Sequence, residues 1–302
     1  MTNYAEVNAR ALLVSLHVAV WGAQRFDRAV SDAVTDGKHA DRSSGRFNKH
    51  LFGTTRAGRG HAPEFFAVID AADRLRNLHD RETLPWSKRA GERLLPVTNY
   101  FDYMAKVRAA GGEFELAVEA LIAAYPRLQE AARTRLAGLY RAEDFVARAD
   151  LRWRFHYEVE VTPVPGGGDV RLDLPQDQIR QIEAALTERM ERTTREAMRD
   201  AWARLHEAVT RIARASGEGG IVRESLLENA RMVCDVLQRL NVAQDADLEQ
   251  MRRRVEAELT VLSLEDLRTN DRLRTDTESR AQAILAQMAQ FYAPVKADAI
   301  HA

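Results

Sequence analysis

Apolar and polar side chains alternate most regularly between residues 153 and 174. This is the period-two pattern of a β-strand that has one buried face and one solvent-exposed face. Three glycines at 166–168 provide a turn, and the alternation resumes over residues 170–174, so the stretch is predicted to be a β-hairpin. The apolar positions of its first strand are Trp153, Phe155, Tyr157, Val159 and Val161, and the polar ones are Arg154, His156, Glu158, Glu160 and Thr162.

A second strand pattern lies near the N-terminus, over residues 11–20. Its β-branched side chains favour a strand, although the period does not exclude a short buried helix. Because a lone hairpin is only marginally stable in water, we expect this strand to complete a small antiparallel sheet with the hairpin. One core would then hold side chains from both segments, namely Val14, Leu16, Val18, Trp153, Phe155 and Tyr157.

Helical periodicity dominates the rest of the N-terminal half. Gly111 and Gly112 lie inside one continuous apolar stripe, which predicts a single helix there, and Pro126 is expected to end that helix. Residues 81–96 contain two prolines and are predicted to be a loop. The predicted helices are 26–37, 63–79, 100–125 and 127–140.

The C-terminal part contains no proline between Gln176 and Ala293, which favours long helices. A first amphipathic helix over residues 176–215 would be ~60 Å long at ~1.5 Å per residue. A very apolar helix follows at 221–240. Two shorter helices are predicted to begin at Asp245 or Asp247 and at the capping pair Ser263 and Asp266, and a last helix carries Ala281, Ile284, Leu285, Met288 and Phe291.

These elements predict an α+β fold that is predominantly helical. Its small antiparallel sheet would combine the strand near 11–20 with the hairpin 153–174, and its long C-terminal helices would form a bundle or a coiled-coil-like hairpin. We expect residues 1–175 to form an α+β domain with a basic loop at 38–61. Residues 176–302 would form a helical region that packs on this domain or mediates oligomerisation.

Net charge, cysteine count and the lack of long apolar runs exclude several classes of protein. The chain has 302 residues, with 44 basic and 45 acidic side chains, so a nucleic-acid role would have to depend on local charge. Cys234 is the single cysteine, which excludes an internal disulfide and a multi-cysteine zinc site and fits a reducing compartment. No apolar run reaches the ~18 residues of a membrane span, and the first residues lack a signal-peptide pattern, so we expect a cytoplasmic protein without a membrane partner.

Local charge is concentrated in residues 38–61, where six cationic side chains stand against Asp41 alone, a net charge of +5. Aromatic side chains are interleaved with these cations, as in a loop that follows phosphates and stacks bases. The alternative is that the cations pair with acidic residues of the same fold or of a partner protein. The predicted nucleic-acid-binding residues are Arg42, Arg46, Lys49, Arg56 and Arg59.

Other chemistry finds less support in the sequence. His39, Asp41, His50 and His61 have no recognised metal-ligand spacing, so neither a metal nor another cofactor is expected. The carboxylates of Glu158, Glu160 and Asp173 on the hairpin would serve a hydrolase only with a second catalytic group, and none can be placed. A non-enzymatic protein is the expectation.

Four stretches of this chain together resemble a known group of proteins. They are GRFNKHLFG at 45–53, LPWSKRAGERLLPVTNYFDY at 84–103, Tyr125 with Pro126, and FHYEVEVTPVPGGGDVRLDL at 155–174. The group is a phage- and prophage-associated family of bacterial proteins known only as a domain of unknown function, and the resemblance covers residues 10–240. It implies a setting of DNA processing, or a partnership with a MoxR-like AAA ATPase, and it implies no active-site residues.

The sequence therefore predicts a non-enzymatic, oligomer-forming accessory protein of phage-type DNA metabolism. It would bind DNA through residues 38–61, in the manner of a single-strand binding or annealing protein. The alternative is an adaptor or scaffold whose amphipathic C-terminal helices dock an AAA ATPase or another protein.

Overall fold

The computed structural model describes residues 7–41, 45–87, 91–165, 175–217 and 219–292. The fold is α+β and predominantly helical, with a small antiparallel sheet, as predicted. The strands are β1 (Ala11–Ala19), β2 (Gln24–Phe26), β3 (Asn48–His50), β4 (Leu84–Pro85), β5 (Arg93–Pro96) and β6 (His156–Pro163). The helices are α1 (Val7–Arg10), α2 (Arg28–Gly37), α3 (Thr55–Gly58), α4 (Pro63–Glu82), α5 (Tyr100–Leu136), α6 (Arg148–Leu151), α7 (Gln176–Ser216), α8 (Glu224–Leu240), α9 (Ala246–Val255), α10 (Leu264–Thr269) and α11 (Asp271–Met288).

The larger sheet has the strand order β4-β5-β1-β6, and β2 and β3 form a separate two-stranded sheet. β1 confirms the strand predicted near the N-terminus, and it pairs antiparallel with β5 from Ala11 opposite Pro96 to Val14 opposite Arg93. The prediction that residues 81–96 are a loop was wrong, since β4 and β5 lie within it. Strands of two and four residues are too short to show a period of two.

β6 confirms the first strand of the predicted hairpin and its register. His156, Glu158 and Glu160 are exposed, whereas the apolar positions between them are half-buried. Trp153 was predicted to be buried in this strand, but it lies in the 3-10 turn Arg152–Arg154 and is 79% exposed. The return strand over 170–174 lies outside the described residues.

Helix α5 is a single helix of 37 residues that passes through Gly111 and Gly112, as predicted, and also through Pro126, which was expected to end it. Proline removes one backbone hydrogen bond from a helix interior. Buried side chains on both sides of Pro126 offset this cost, because Tyr125 is fully buried and its hydroxyl donates to the Val146 carbonyl oxygen at 2.9 Å.

The chain forms two compact units, which do not follow the division at residue 175 suggested by the sequence. Unit 1 comprises the described residues of Met1–Ser15, Asp80–Tyr103 and Glu160–Ala302, and unit 2 comprises those of Leu16–His79 and Met104–Val159. The chain passes from one unit to the other within β1, α4, α5 and β6.

Unit 1 is centred on the C-terminal helices. The apolar stripe of α7 is buried from Thr194 onward, and it shares one core with side chains of α8, α9 and α11. The Arg204 guanidinium on α7 donates to the carbonyl oxygens of Asp80, Arg81 and Thr83 at 2.8–2.9 Å. These carbonyls lie at the C-terminal end of α4, where the helix leaves them without backbone partners and where a cation is favoured.

Unit 2 has its own aromatic core, formed by Trp21, Phe52, Phe65 and Tyr125 with their apolar neighbours. The Trp21 ring meets the other three rings edge-on or obliquely at centroid distances of 5.9–6.4 Å. Such edge-to-face contacts stabilise a core beyond the area that the rings bury. The basic segment is anchored here, because Phe52 belongs to it.

The two glycines in the middle of α5 have different roles. A Cβ at Gly111 would lie 2.2 Å from the Tyr157 ring, so this glycine lets β6 approach the helix closely. A Cβ at Gly112 would meet nothing within 4 Å.

We expect Gly112→Ala to raise the free energy of unfolding by ~0.5–1 kcal/mol, since alanine is the better helix former. Gly111→Ala should instead lower it by ~1–3 kcal/mol, the usual cost of overpacking. Urea denaturation of the two matched variants measures both. Equal effects of the two substitutions would contradict the close approach of Tyr157 to Gly111.

Candidate nucleic-acid interface

The basic segment forms the second strand of the small sheet in unit 2. β3 pairs antiparallel with β2, and Lys49 lies directly opposite Arg25. Directly opposed residues of an antiparallel pair place their side chains on the same face of the sheet. Lys49 and Arg25 therefore face the same part of the unit, the loop that contains Asp144.

Lys49 is 2% exposed and lies at the centre of an ionic network. Its Nζ is 2.6 Å from Asp144 Oδ2 and 3.3 Å from Asp27 Oδ2, and it donates to the Leu139 carbonyl oxygen at 3.0 Å. The ammonium group thus makes two hydrogen bonds, to Asp27 and Leu139, and an ion pair with the Asp144 carboxylate. Lys49 was predicted to contact nucleic acid, but a phosphate could reach it only by breaking this network, so we assign Lys49 to the framework of the unit.

Asp27 links the network to α2. Its Oδ1 accepts a hydrogen bond from the Val30 backbone N–H at 3.1 Å and so caps the N-terminus of the helix. This hydrogen bond, and then Lys49, hold the pKa of Asp27 below its usual value, which keeps the carboxyl ionised. The network thus fixes α2, β3 and the loop around Asp144 to one another.

Arg59 is engaged by a carboxylate at the surface. Its two terminal nitrogens lie 2.5 and 2.7 Å from the two oxygens of Asp70, a bidentate pair that raises the pKa of Arg59 and lowers that of Asp70. Exposed pairs contribute little to stability, so Asp70 would compete with a phosphate for Arg59 rather than exclude it.

Two of the five residues that were predicted to bind nucleic acid have solvent-exposed side chains. Arg46 and Arg56 are both exposed, and the Arg46 guanidinium carbon lies 4.8 Å from the centroid of the Phe26 ring, which is itself 46% exposed. Arg42 lies outside the described residues.

A cleft of ≈ 560 Å³ opens beside the Lys49 network. Its charged lining consists of four carboxylates and three cations, so it offers no excess positive charge to an anion. The charged residues are Asp27, Arg28, Asp32, Lys49, Arg141, Glu143 and Asp144.

A second cleft, of ≈ 460 Å³, has more cationic than anionic side chains in its lining. Arg25 and Arg154 face Asp150 there, and Trp153 forms part of the wall. Arg25 Nε donates to the Asp144 carbonyl oxygen at 3.2 Å, and Asp144 lines the first cleft, so the two clefts adjoin. The charge count over residues 38–61 could not indicate Arg25 or Arg154, which are distant in sequence and meet only in the fold.

Within the described part of the chain, no three or more His, Cys, Asp or Glu side chains are grouped so that they could hold a metal ion. No helix among the residues that the structure describes is long and apolar enough to cross a bilayer.

Comparison with known proteins found no match among family models, curated proteins or solved structures.

We expect Lys49→Met to lower the free energy of unfolding by about 3 kcal/mol, because it leaves two carboxylates facing each other without their cation. Removing one partner of a buried ion pair usually costs ~3–5 kcal/mol. We expect the lower end of this range, because the Asp144 side chain keeps 13% exposure. Chemical denaturation provides the measurement, and Arg56→Gln is the matched control, expected to change stability by less than ~0.5 kcal/mol. A Lys49→Met protein as stable as the control would show that the network is dispensable.

Proposed function

We propose that this chain is a non-enzymatic accessory protein that binds single-stranded nucleic acid through the open arginines of its basic segment. The observation that carries the proposal is the Arg46 guanidinium lying over the half-exposed ring of Phe26. The guanidinium offers a phosphate its N–H groups, and a base could stack on the outer face of the guanidinium or on the uncovered face of the ring.

Single strands suit this arrangement better than a duplex. Stacking on a protein side chain requires a base whose face is free, and in a duplex the neighbouring base pairs cover both faces. The net charge of the whole chain is −1, so affinity would arise from a few local contacts and would depend on salt only modestly.

The setting we propose is phage-type DNA metabolism, which the family resemblance implies, with self-association of the protein along the strand; the cytoplasm is the compartment that the sequence favours. The alternative, an adaptor that docks a MoxR-like AAA ATPase through its C-terminal helices, has less support. From Thr194 onward the apolar stripe of α7 is already buried in the core of unit 1, where a partner could reach it only by displacing α8 or α11.

We expect the double variant Arg46→Gln with Arg56→Gln to weaken binding of oligo(dT) regardless of sequence context. Each lost phosphate contact should reduce the slope of log affinity against log salt by ~0.7. Fluorescence anisotropy over a salt series measures this slope, and thermal melting should be unchanged because both side chains are exposed.

The matched control is Arg189→Gln with Arg192→Gln, which removes the same charge from two exposed positions of α7. This control should bind as the wild type does. Equal losses in both double variants would show that only net charge matters, and a wild type without salt-sensitive binding would refute the proposed function.

A further inference from the structure

The indole of Trp153 is the most unusual surface feature of unit 2, since its neighbour Phe155 is 5% exposed while Trp153 itself is 79% exposed. The Phe155 backbone N–H donates to the Arg152 carbonyl oxygen at 3.1 Å and closes a 3-10 turn. This turn ends the alternating pattern one residue before β6 and directs the indole to solvent.

Trp153 borders an aromatic cleft of ≈ 430 Å³, a volume within the range of small-ligand sites. Phe114, Val118 and Phe155 line this cleft and are buried, and Tyr157 packs edge-on against Phe114 at 6.3 Å between ring centroids. A flat apolar ring placed against Trp153 would cover apolar surface that water now contacts.

The aromatic cleft is poorly suited to hold an anion by itself. Its one arginine, Arg152, is paired with Glu119, and it also contains Glu115. Any negatively charged group attached to a bound ring would therefore have to lie outside this cleft.

Trp153 also lines the second cleft, which holds Arg25 and Arg154. Arg25 is held in place by the Asp144 carbonyl oxygen, and the Arg154 guanidinium makes no hydrogen bond or ion pair with another described residue. Two guanidinium groups face one carboxylate, Asp150, which leaves a positive charge beside the indole.

We propose that Trp153 is a base-stacking platform, and that the two clefts it lines, the aromatic cleft and the cleft with Arg25 and Arg154, together bind one nucleotide of a single strand. The base would stack on the indole toward the aromatic cleft, and the phosphate would bind Arg25 and Arg154. This inference rests on the proposed function, and it adds a second contact site that uses none of the residues of the basic segment.

The test compares oligo(dT) with an oligomer of the same length that carries abasic sites and so has the same phosphates without bases. Trp153→Ala should weaken oligo(dT) binding by ~5- to ~150-fold, which corresponds to ~1–3 kcal/mol for one stacked base. It should leave the weaker binding of the abasic oligomer unchanged. Arg154→Gln should weaken the binding of both oligomers. It should also reduce the slope of log affinity against log salt concentration by ~0.7.

A second readout is tryptophan fluorescence. Of the other three tryptophans, Trp21 and Trp202 are buried and Trp86 is half-buried, so Trp153 is the most exposed indole and binding of oligo(dT) should quench the wild-type emission mainly through it. Trp153→Phe should lose most of this quenching while retaining most of the affinity. The melting temperatures of both Trp153 variants should match that of the wild type, because the side chain is exposed.

The outcomes separate the two proposals. If the wild type binds oligo(dT) and Trp153→Ala binds it equally well, or loses affinity for both oligomers alike, the stacking platform is refuted and the proposed function stands. If the wild type binds neither oligomer, the proposed function fails and the platform fails with it.

Discussion

The arrangement of unit 2 depends on the burial of one ammonium group. A lysine removed from water must keep opposite charges and hydrogen-bond acceptors around it, since an isolated buried charge is very costly. Lys49 meets this requirement only where Asp27, Leu139 and Asp144 converge. The start of α2, the strand β3 and the loop at 139–144 are therefore held together. The cleft beside the Lys49 network and the adjoining cleft with Arg25 and Arg154 are formed around them.

This constraint divides the basic segment into an inner and an outer part. Lys49 and Arg46 are only three positions apart in the same basic segment, yet one is buried and the other is exposed. The difference comes from acceptors that are remote along the chain, since Leu139 lies 90 residues from Lys49. Local charge could indicate the segment, but it could not indicate which cations are free.

Secondary structure was predictable where a period extends over several turns or pleats. β6 and the buried part of α7 follow their apolar positions closely, and Asp245, one of two predicted caps, and Ser263 cap their helices. β1 forms where a strand was predicted, but Leu13 and Val14 on its two faces are both buried, whereas Leu16 and Val18 are half-buried. The prediction was wrong where tertiary contacts outweigh a local signal. Packing around Tyr125 carries α5 through Pro126, and pairing with β1 makes a strand of residues 93–96.

The candidate site was predictable only in part for a related reason. Arg46 and Arg56 belong to a visible charge cluster, whereas Arg25, Trp153 and Arg154 come from two segments that only the fold brings together. The regular alternation after Phe155 suggested that Trp153 continues the strand. A single turn hydrogen bond, too local to change the periodicity, turns the indole outward.

The discontinuity of unit 1 also bears on how the protein is made. Val7, Ala11 and Leu13 share a core with Met251, Ile284 and Met288, near the other end of the chain. At ~5–20 residues per second, a ribosome needs roughly 15–60 s to supply those partners after the first strand has emerged. During this interval the segments of unit 2 can already find one another, whereas the apolar residues at the N-terminus have β5 as a partner but lack the part of their core that the C-terminal helices supply. The core of unit 1 is therefore completed only when the last helix has been made.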